Sequence, residues 1–534
     1  MNRGAVLYAI GRLLQILAVI LFVPLGISVW DDLARPGGTA LESSESLAFA
    51  AAIVFSLVAG TLLEWLTRRH RYDPGVREGF AIVTLGWVSL TLIGAIPFFV
   101  WMLEQRGAPG PVAVLGAFTD AYFEVMSGFT TTGATIIPDV EALPRGLLFW
   151  RALTHWLGGM GIITLALAIF PAMGVGGYQM FRGEVPGPSA DRLRPRLRET
   201  AAILWGVYAL LTGVQTGLLM LGGMNLLDAL CHAFATMATG GFSTRNASIG
   251  AYGSAYIDWV IVLFMFLAGM NFVLHYRLLF RRDWRALRED REFHFYFGTA
   301  ALAVLATTVA LWLGGLQSPQ HAAASFQAAP REPAAFAAHY EREAAKLDGP
   351  AAALRYAAFQ VVSVLTTTGF CTADFDLWPP AIGLLLVVLM FWGGCAGSTG
   401  GGMKMIRVLV TLKASWRELK KVVRPRLVSP LKVRRAPLQE PMVANIVAFF
   451  VLFVGLFVVC SLLMSAFVPD LVTAVTSVAA CIGNVGPGLA GVGATQHYAW
   501  IPAAGKWVLI LCMLLGRLEI FTVLVVLRPS FWRR

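Results

Sequence analysis

Charged residues are scarce in this sequence of 534 residues. Asp, Glu, Lys and Arg together make up 14% of the chain, against about 25% in an average soluble protein. A soluble chain of this length folds into several domains, and each domain needs a polar surface. Because 57% of the residues are hydrophobic, the chain cannot supply those surfaces. The composition therefore excludes a soluble multidomain protein and indicates an integral membrane protein.

Paired cysteines and catalytic motifs are missing as well. The six cysteines show neither CxxC spacing nor a histidine-rich neighbourhood, so we expect buried, reduced thiols. No Ser-His-Asp or Cys-His nucleophile arrangement can be argued. An intramembrane enzyme, such as a lipid-handling transferase, would need a titratable cluster that the sequence does not offer. We therefore predict that the chain is not an enzyme.

Positive charge is plentiful by comparison, with a net charge of +11. The basic residues cluster in short hydrophilic segments between apolar runs, without the interleaved aromatic residues of a nucleic-acid surface. We therefore predict no nucleic-acid partner. Every large basic cluster follows an even-numbered apolar run, and basic loops face the cytoplasm. Both termini are therefore predicted to be cytoplasmic.

Ten apolar runs are long enough to cross a bilayer, which takes about 20 residues. They lie at 5–30, 47–66, 79–102, 146–170, 200–221, 256–280, 297–316, 380–410, 442–468 and 505–528. Four shorter apolar stretches suit re-entrant segments that enter from outside, at 112–128, 225–238, 352–366 and 470–482. The outward segment 317–352 has mixed charge and is predicted to be an external elaboration of little diagnostic value.

One unit recurs four times after the first two spans: a span, a short apolar helix, a polar turn containing glycine, and a span. Alignment of the turns places Gly133, Gly241, Gly369 and Gly486 in register. The predicted fold is an all-α membrane protein with four tandem span–pore helix–span repeats around a pseudo-four-fold pore, and two extra N-terminal helices. Its predicted boundaries are 1–78 for the N-terminal extension and 79–198, 199–295, 296–440 and 441–534 for the repeats.

The turns have the composition of a cation pathway. Non-helical backbone is tolerated at membrane depth only where it is buried in protein or lines a water-filled cavity. Four turns of threonine and glycine around one axis can direct carbonyl oxygens inward to replace the hydration shell of a cation. The negative C-terminal ends of the short helices favour a cation at the same place. The alternative is that these small residues only allow close helix packing.

Several motifs in this chain resemble those of the Trk/Ktr/HKT superfamily of K⁺ transporters, most closely the bacterial TrkH/TrkG type. They are SGFTTTGAT (127–135), HWLGGMGII (155–163), ATGGFSTRNASIG (238–250), GGCAGSTGGGMKMIR (393–407), GNVGPGL (483–489) and LLGRLEIFTVLVVL (514–527). The resemblance implies a K⁺ selectivity filter built from Thr131, Thr132, Gly133, Gly240, Gly241, Thr367, Thr368, Gly369, Asn484, Val485 and Gly486. Within this set, K⁺ is expected at Thr132, Gly133, Gly240, Gly241, Thr368, Gly369, Val485 and Gly486.

Two positions bear on ion selectivity. Some Na⁺-preferring plant relatives have serine where this chain has Gly133, so the glycine favours K⁺. The fourth turn has Asn484-Val485 in place of a threonine run, so the ring cannot be strictly four-fold. Alternatives that stay open are a Na⁺-permeable or a Na⁺/H⁺-coupled transporter of the same family.

A glycine-rich run, residues 393–402, interrupts the eighth span. It is not a phosphate-binding loop, because methionines flank Lys404 and no strand precedes the run. So many glycines must break the helix, and the break should line the pathway. The resemblance implies an intramembrane gating loop containing Gly397, Ser398, Thr399, Gly400 and Gly401. A passive kink is the alternative.

Arg517 lies inside the last apolar run, where a charge costs at least about 2.5–3.5 kcal/mol unless it is paired or hydrated. Glu519 is two residues away and therefore on another helix face. The resemblance implies that Arg517 is a pore arginine beneath the filter. A buried structural ion pair is the alternative.

Other polar residues in apolar surroundings have simpler explanations. Asp120, Glu124 and Asp228 lie near the starts of short helices, so we expect the aspartates to cap those helices, with an acidic outer vestibule as the alternative. His155 is expected to pack and to form hydrogen bonds. Asn271 and His275 are expected to join helices.

The resemblance also implies partners and a location. These are membrane lipid, a second copy of the chain in a homodimer, and a cytosolic ring of nucleotide-binding regulatory subunits. No nucleotide site or cofactor is expected in this chain, and K⁺ is the expected transported ion. The implied location is the bacterial inner membrane.

Overall fold

The structure, a computed structural model, describes residues 1–534 except 37–38, 71–74, 108–109, 170–196, 321–332, 427–430, 432–437, 439, 519 and 534. The cluster of basic residues from Arg182 to Arg198, which follows the fourth apolar run, lies mostly outside the described residues. The helices are α1 (Arg3–Ala34), α2 (Ser44–Thr67), α3 (Val76–Gly94), α4 (Ile96–Gln105), α5 (Pro111–Phe129), α6 (Arg145–Ile169), α7 (Leu197–Leu221), α8 (Leu226–Met237), α9 (Ala255–Ala268), α10 (Phe272–Arg281), α11 (Trp284–Glu289), α12 (Arg291–Gly314), α13 (Pro333–Ala345), α14 (Gly349–Leu365), α15 (Pro380–Met390), α16 (Met405–Val423), α17 (Glu440–Met464), α18 (Leu471–Ile482), α19 (Ala503–Arg517) and α20 (Ile520–Leu527).

The all-α prediction is confirmed. Within the described ranges the only strand-like pairing is an isolated parallel bridge between Trp392 and Met403. Five described helices (α1, α2, α7, α12 and α17) are long and apolar enough to cross a membrane unbroken. The four predicted short apolar helices are α5, α8, α14 and α18, and each is followed by a turn.

Four predicted spans are not continuous helices, contrary to expectation. The fourth contains a non-helical residue, Gly161 (φ 70°), within α6, and the other three are bent between two helices. The third bends by 41° between α3 and α4, the sixth by 103° between α9 and α10, and the tenth by 120° between α19 and α20. At the third, Pro97 lies in the first turn of α4, where its missing N–H costs nothing. At the sixth, the Asn271 side chain accepts from the backbone N–H of Val273 and starts a new helix. Hydropathy shows that a run is apolar but does not predict where the helix bends.

The N-terminal extension is a tightly packed helix pair. At the crossing of α1 and α2, a Cβ on Gly60 would lie 2.7 Å from the carbonyl oxygen of Gly11, and one on Gly11 would lie 2.8 Å from that of Gly60. Close to the crossing, Arg12 forms an ion pair with Glu64 at 3.4 Å. Small residues allow this approach, which is how helices associate in lipid without a hydrophobic driving force.

We predict that Gly60→Ala destabilises the protein, because the added methyl group would overlap the backbone of α1. Overpacking of this kind costs about 1–3 kcal/mol and should lower the unfolding temperature. The control is Gly26→Ala on the exposed side of α1, where an added Cβ meets no atom within 4 Å. Thermal unfolding of both purified variants in detergent provides the measurement, and equal unfolding temperatures would contradict the packing argument.

Candidate functional site

Each of the four short helices ends in the same backbone motif. The residue after the C-cap has a positive φ in every case: Thr131 (51°), Thr239 (55°), Thr367 (60°) and Asn484 (54°). For L-residues this conformation costs roughly 1–2 kcal/mol, and for a β-branched threonine it is an outlier. All four side chains are fully buried. Strain repeated at equivalent positions identifies these turns as the candidate functional site.

Hydrogen bonds hold the motif in place. The backbone N–H of Thr132 donates to the carbonyl of Ser127 at 2.9 Å, and that of Val485 donates to Ala480 at 2.8 Å. The equivalent bonds, both 2.8 Å, run from Gly240 to Ala235 and from Thr368 to Ser363. This is a Schellman motif with threonine or asparagine where glycine is usual. Four different local sequences therefore adopt one backbone form.

The four turns close into a ring through the aligned glycines. A Cβ on Gly133 would overlap the carbonyl oxygen of Gly240, one on Gly241 that of Thr368, and one on Gly369 that of Val485. A Cβ on Gly486 would lie 2.6 Å from the carbonyl oxygen of Thr132 and completes the circle. The glycines also have φ between 79° and 97°. The structure thus brings together all the predicted filter residues, each glycine against the next turn's carbonyl.

Asparagine replaces threonine in the fourth turn and joins that turn to the first. In the first and third turns, hydroxyl pairs form at 2.8 Å (Thr130 with Thr132) and 2.7 Å (Thr366 with Thr368). The Asn484 amide instead donates to the Thr132 hydroxyl at 2.9 Å and to the Met513 carbonyl at 3.0 Å. The departure from the threonine run therefore has a structural reason.

A buried ion pair bonds the chain that follows the first and second turns. Arg151 donates to Glu124 at 2.6 Å and to the Ser243 carbonyl at 2.8 Å. Glu124 also accepts from the backbone N–H of Ile136 at 2.9 Å. Arg151 was missed by the sequence analysis, although an arginine within an apolar run is the same signal that identified Arg517.

The expected roles of the three acidic residues are largely wrong. Asp120 lies in the middle of α5 rather than at its start, and pairs with Lys506 at 2.6 Å and with Arg106. Asp228 is in the first turn of α8, but Asn225 is the cap and Asp228 pairs with Arg245 at 3.0 Å. Because Asp120, Glu124 and Asp228 are buried and each faces a basic side chain, these carboxylates do not form an open acidic vestibule.

Two histidines connect backbone segments. His155 packs as expected: its Nδ1 lies 2.8 Å from the Gly128 carbonyl oxygen, and its Nε2 accepts from the Phe242 N–H at 3.2 Å. It therefore links the first turn to the second. His275 Nε2 lies 2.8 Å from the Leu267 carbonyl across the bend between α9 and α10. Asn271 is a helix cap, so the expectation that both residues join helices is right only for His275.

The glycine loop, defined here as residues 391–404 between α15 and α16, is confirmed as a break in the eighth span. Its ends are tied together, because the N–H of Gly393 donates to the Met403 carbonyl at 2.8 Å and that of Met405 to Gly394 at 3.2 Å. Between these ties the chain leaves the helical path and returns to it.

The glycine loop contacts both the ring and the bent sixth span. The Gly401 N–H donates to the Thr367 hydroxyl of the third turn at 2.7 Å. The Thr399 hydroxyl donates to the Met237 carbonyl at the end of α8, at 2.9 Å. The Cys395 N–H donates to the Gly269 carbonyl, which the bend between α9 and α10 leaves free of helical bonding, at 2.8 Å. The loop therefore lies directly against the ring.

Arg517 joins the glycine loop to the fourth span. It is the last residue of α19, at the break before α20, and not in the middle of a continuous helix as expected. Its guanidinium donates to the carbonyls of Thr399 at 2.8 Å, Gly158 at 2.5 Å and Gly159 at 3.1 Å. Three backbone carbonyls therefore surround the guanidinium. Glu519 lies outside the described residues.

The segment 317–352 contacts the site, so the expectation that it has little diagnostic value is wrong. Lys346, just after α13, donates to the Thr372 carbonyl at 3.0 Å, and Glu343 accepts from the Asp374 N–H at 3.1 Å. His339 lies 2.8 Å from the Asp374 carboxylate. Helix α13 and the residue after it therefore form hydrogen bonds with the chain that follows the third turn.

Comparison with known proteins agrees with this geometry. The family described as "TrkH: Cation transport protein" matches residues 45–534. A "Trk system potassium uptake protein TrkH" of Halomonas elongata is 40% identical over 488 residues, which cover 91% of this chain and 92% of the relative. The protein of the same name from Salmonella typhimurium is 39% identical over 501 residues, covering 93% and 95%. The crystal structure of the potassium transporter TrkH from Vibrio parahaemolyticus is 35% identical, with a TM-score of 0.80 and full coverage of both chains. The motifs, the ring of four turns and these matches together show that the chain belongs to the TrkH family of cation transport proteins.

Proposed function

We propose that this protein takes up K⁺ across the bacterial inner membrane through the ring of four turns. The closed contact of each glycine with the carbonyl of the next turn carries the proposal. A ring of carbonyl oxygens can replace water around a dehydrated cation. The names of the relatives, potassium uptake proteins, support K⁺ as the cargo.

In this proposal the ion-binding oxygens come from the backbone. The residues that would hold K⁺ are Thr132, Gly133, Gly240, Gly241, Thr368, Gly369, Val485 and Gly486. The α5, α8, α14 and α18 helices end just before these residues, so their C-terminal dipoles add negative potential. Side chains then serve mainly to hold the carbonyls in position, as the Asn484–Thr132 bond does.

The gate in this proposal is the glycine loop with Arg517. The Gly401 N–H of the loop donates to the Thr367 hydroxyl of the third turn, and Arg517 donates to the Thr399 carbonyl of the loop. A guanidinium beside the pathway would also repel K⁺. Release of these bonds would free the loop to move away from the ring.

Further proposals concern assembly. The chain would function as a homodimer with both termini in the cytoplasm, and a cytosolic ring of nucleotide-binding subunits would regulate it. The word "system" in the relatives' names supports a multicomponent assembly. Co-purification of the full-length protein with such a ring tests the partnership.

Na⁺ permeation, or coupling to Na⁺ or H⁺, is the second candidate. The asymmetric fourth turn, with Asn484-Val485, favours it because a ring of unlike turns need not hold K⁺ tightly. Liposomes separate the two functions: uncoupled K⁺ uptake continues without a Na⁺ or pH gradient, whereas coupled uptake depends on one.

We predict that Gly133→Ser lowers the preference for K⁺ over Na⁺ by about tenfold, or about 1.4 kcal/mol. The serine Cβ would overlap the Gly240 carbonyl and would have to adopt a φ of 79°. Flux of Rb⁺ and Na⁺ into liposomes measures the preference. Gly206→Ser is the control, since Gly206 on α7 is exposed and faces open space. An unchanged ion preference in Gly133→Ser rules out the filter assignment.

We predict that deletion of residues 396–401 raises basal K⁺ flux by about tenfold or more. The deletion removes the Thr399 and Gly401 contacts that hold the loop against the ring. About 1.4 kcal/mol of lost closed-state stability is enough for this change. Flux into liposomes without regulatory subunits is the measurement. If the flux stays at the level of the unmodified protein, the loop is only a kink.

A further inference from the structure

Glu292 is a buried carboxylate that the proposed pathway does not use. It is the second residue of α12 and is 8% exposed. Its Oε1 accepts from the backbone N–H of Ala396 at 2.6 Å and from that of Ile406 at 3.1 Å. Ala396 lies within the glycine loop and Ile406 in the first turn of α16. One oxygen atom therefore ties the loop to the helix that follows it.

The chemistry of this contact is that of a helix cap supplied from another element. The first N–H groups of α16 have no helical partners, and a carboxylate near a helix N-terminus is favoured by the helix dipole. Both backbone N–H groups donate to the same oxygen atom, so one side chain satisfies two backbone donors. The Lys404 side chain reinforces the fold of the loop by donating to the Gly400 carbonyl. The carboxylate therefore stabilises the loop conformation seen here.

The chain before Glu292 contacts the same loop at its other end. The Phe272 N–H, at the start of α10, donates to the Gly397 carbonyl at 3.0 Å. The segment 272–292 is therefore hydrogen-bonded to the glycine loop at both of its ends. Between them it contains only α10, α11 and short connections, so we call it the connecting segment.

The connecting segment is internally braced. Arg277 pairs with Asp283 at 2.6 Å. Asp283 caps α11 by accepting from the Ala286 N–H at 3.3 Å, and Asp290 caps α12 by accepting from the Phe293 N–H at 2.9 Å. A displacement of this braced segment would be transmitted to both of its contacts with the loop.

We propose that Glu292 is a gate-positioning residue that couples the connecting segment to the glycine loop and holds the loop closed. This inference rests on the proposed role of the loop as the gate. The inference adds that the connecting segment, which lies outside the proposed pathway, controls the position of the gate. Glu292 touches no predicted filter residue among its described hydrogen bonds, so it acts on opening and not on ion selectivity.

The test compares variants of the full-length protein in liposomes without regulatory subunits. Glu292→Ala removes the acceptor and should raise basal Rb⁺ flux about tenfold, which corresponds to about 1.4 kcal/mol, with the Rb⁺/Na⁺ preference unchanged. Glu292→Gln keeps an acceptor oxygen without the charge, so its flux should rise by less, about twofold to fivefold. Glu341→Gln is the control, since it removes the same charge from an exposed position on α13, outside the connecting segment, and should behave as the unmodified protein.

The outcomes separate this inference from the proposed function. If deletion of 396–401 raises basal flux and Glu292→Ala does not, Glu292 does not hold the gate, although the gate assignment stands. If neither change raises flux while the unmodified protein transports Rb⁺, the gate assignment fails and the inference with it. A changed ion preference in either Glu292 variant also overturns the inference. If Glu292→Ala does not fold, as judged by gel filtration, Glu292→Gln decides, and flux equal to that of the unmodified protein overturns the inference.

Discussion

Backbone N–H and C=O groups in apolar surroundings need partners, and this chain interrupts its helices where such surroundings are expected. Each interruption is compensated by specific hydrogen bonds. The turns use Schellman bonds such as Thr132 to Ser127, and the glycine loop uses Gly393 to Met403. What remains around the ring are carbonyl groups held in fixed positions. Carbonyl oxygens in such positions can coordinate a cation, and this is the basis of the proposed function.

Charged side chains, most of them buried, connect the irregular segments to the helices. Arg151 with Glu124 holds the chain leaving the first two turns, Arg517 holds the glycine loop against α6, and Glu292 holds it against α16. Burial of a charge is costly unless it is paired and hydrogen-bonded, and most of these groups bond backbone atoms that have lost helical partners. Most of these charged groups therefore offset their own desolvation by bonding backbone atoms at a break in a helix.

The four turns share a backbone but not their attachments. The first two are joined by His155, the third contacts the glycine loop and is followed by chain that bonds α13, and the fourth is bonded to the first through Asn484. The glycine loop bonds the third turn through Thr367 and the end of α8 through the Met237 carbonyl. The contacts around the ring of four similar turns are therefore unequal.

The sequence by itself determined the membrane class, the apolar helices, the register of the four glycines and the break in the eighth span, because run length, composition and glycine content are local properties. The tertiary structure alone decided that the ring closes, that Thr131 and Asn484 adopt positive φ, and that the third, sixth and tenth spans bend. It also decided the partners of the buried acids, which the sequence analysis assigned to caps or a vestibule. Asp120 meets Lys506 and Asn484 meets Thr132 across more than half of the chain. Hydropathy and spacing report on neighbours along the chain, whereas these contacts depend on which helices pack together.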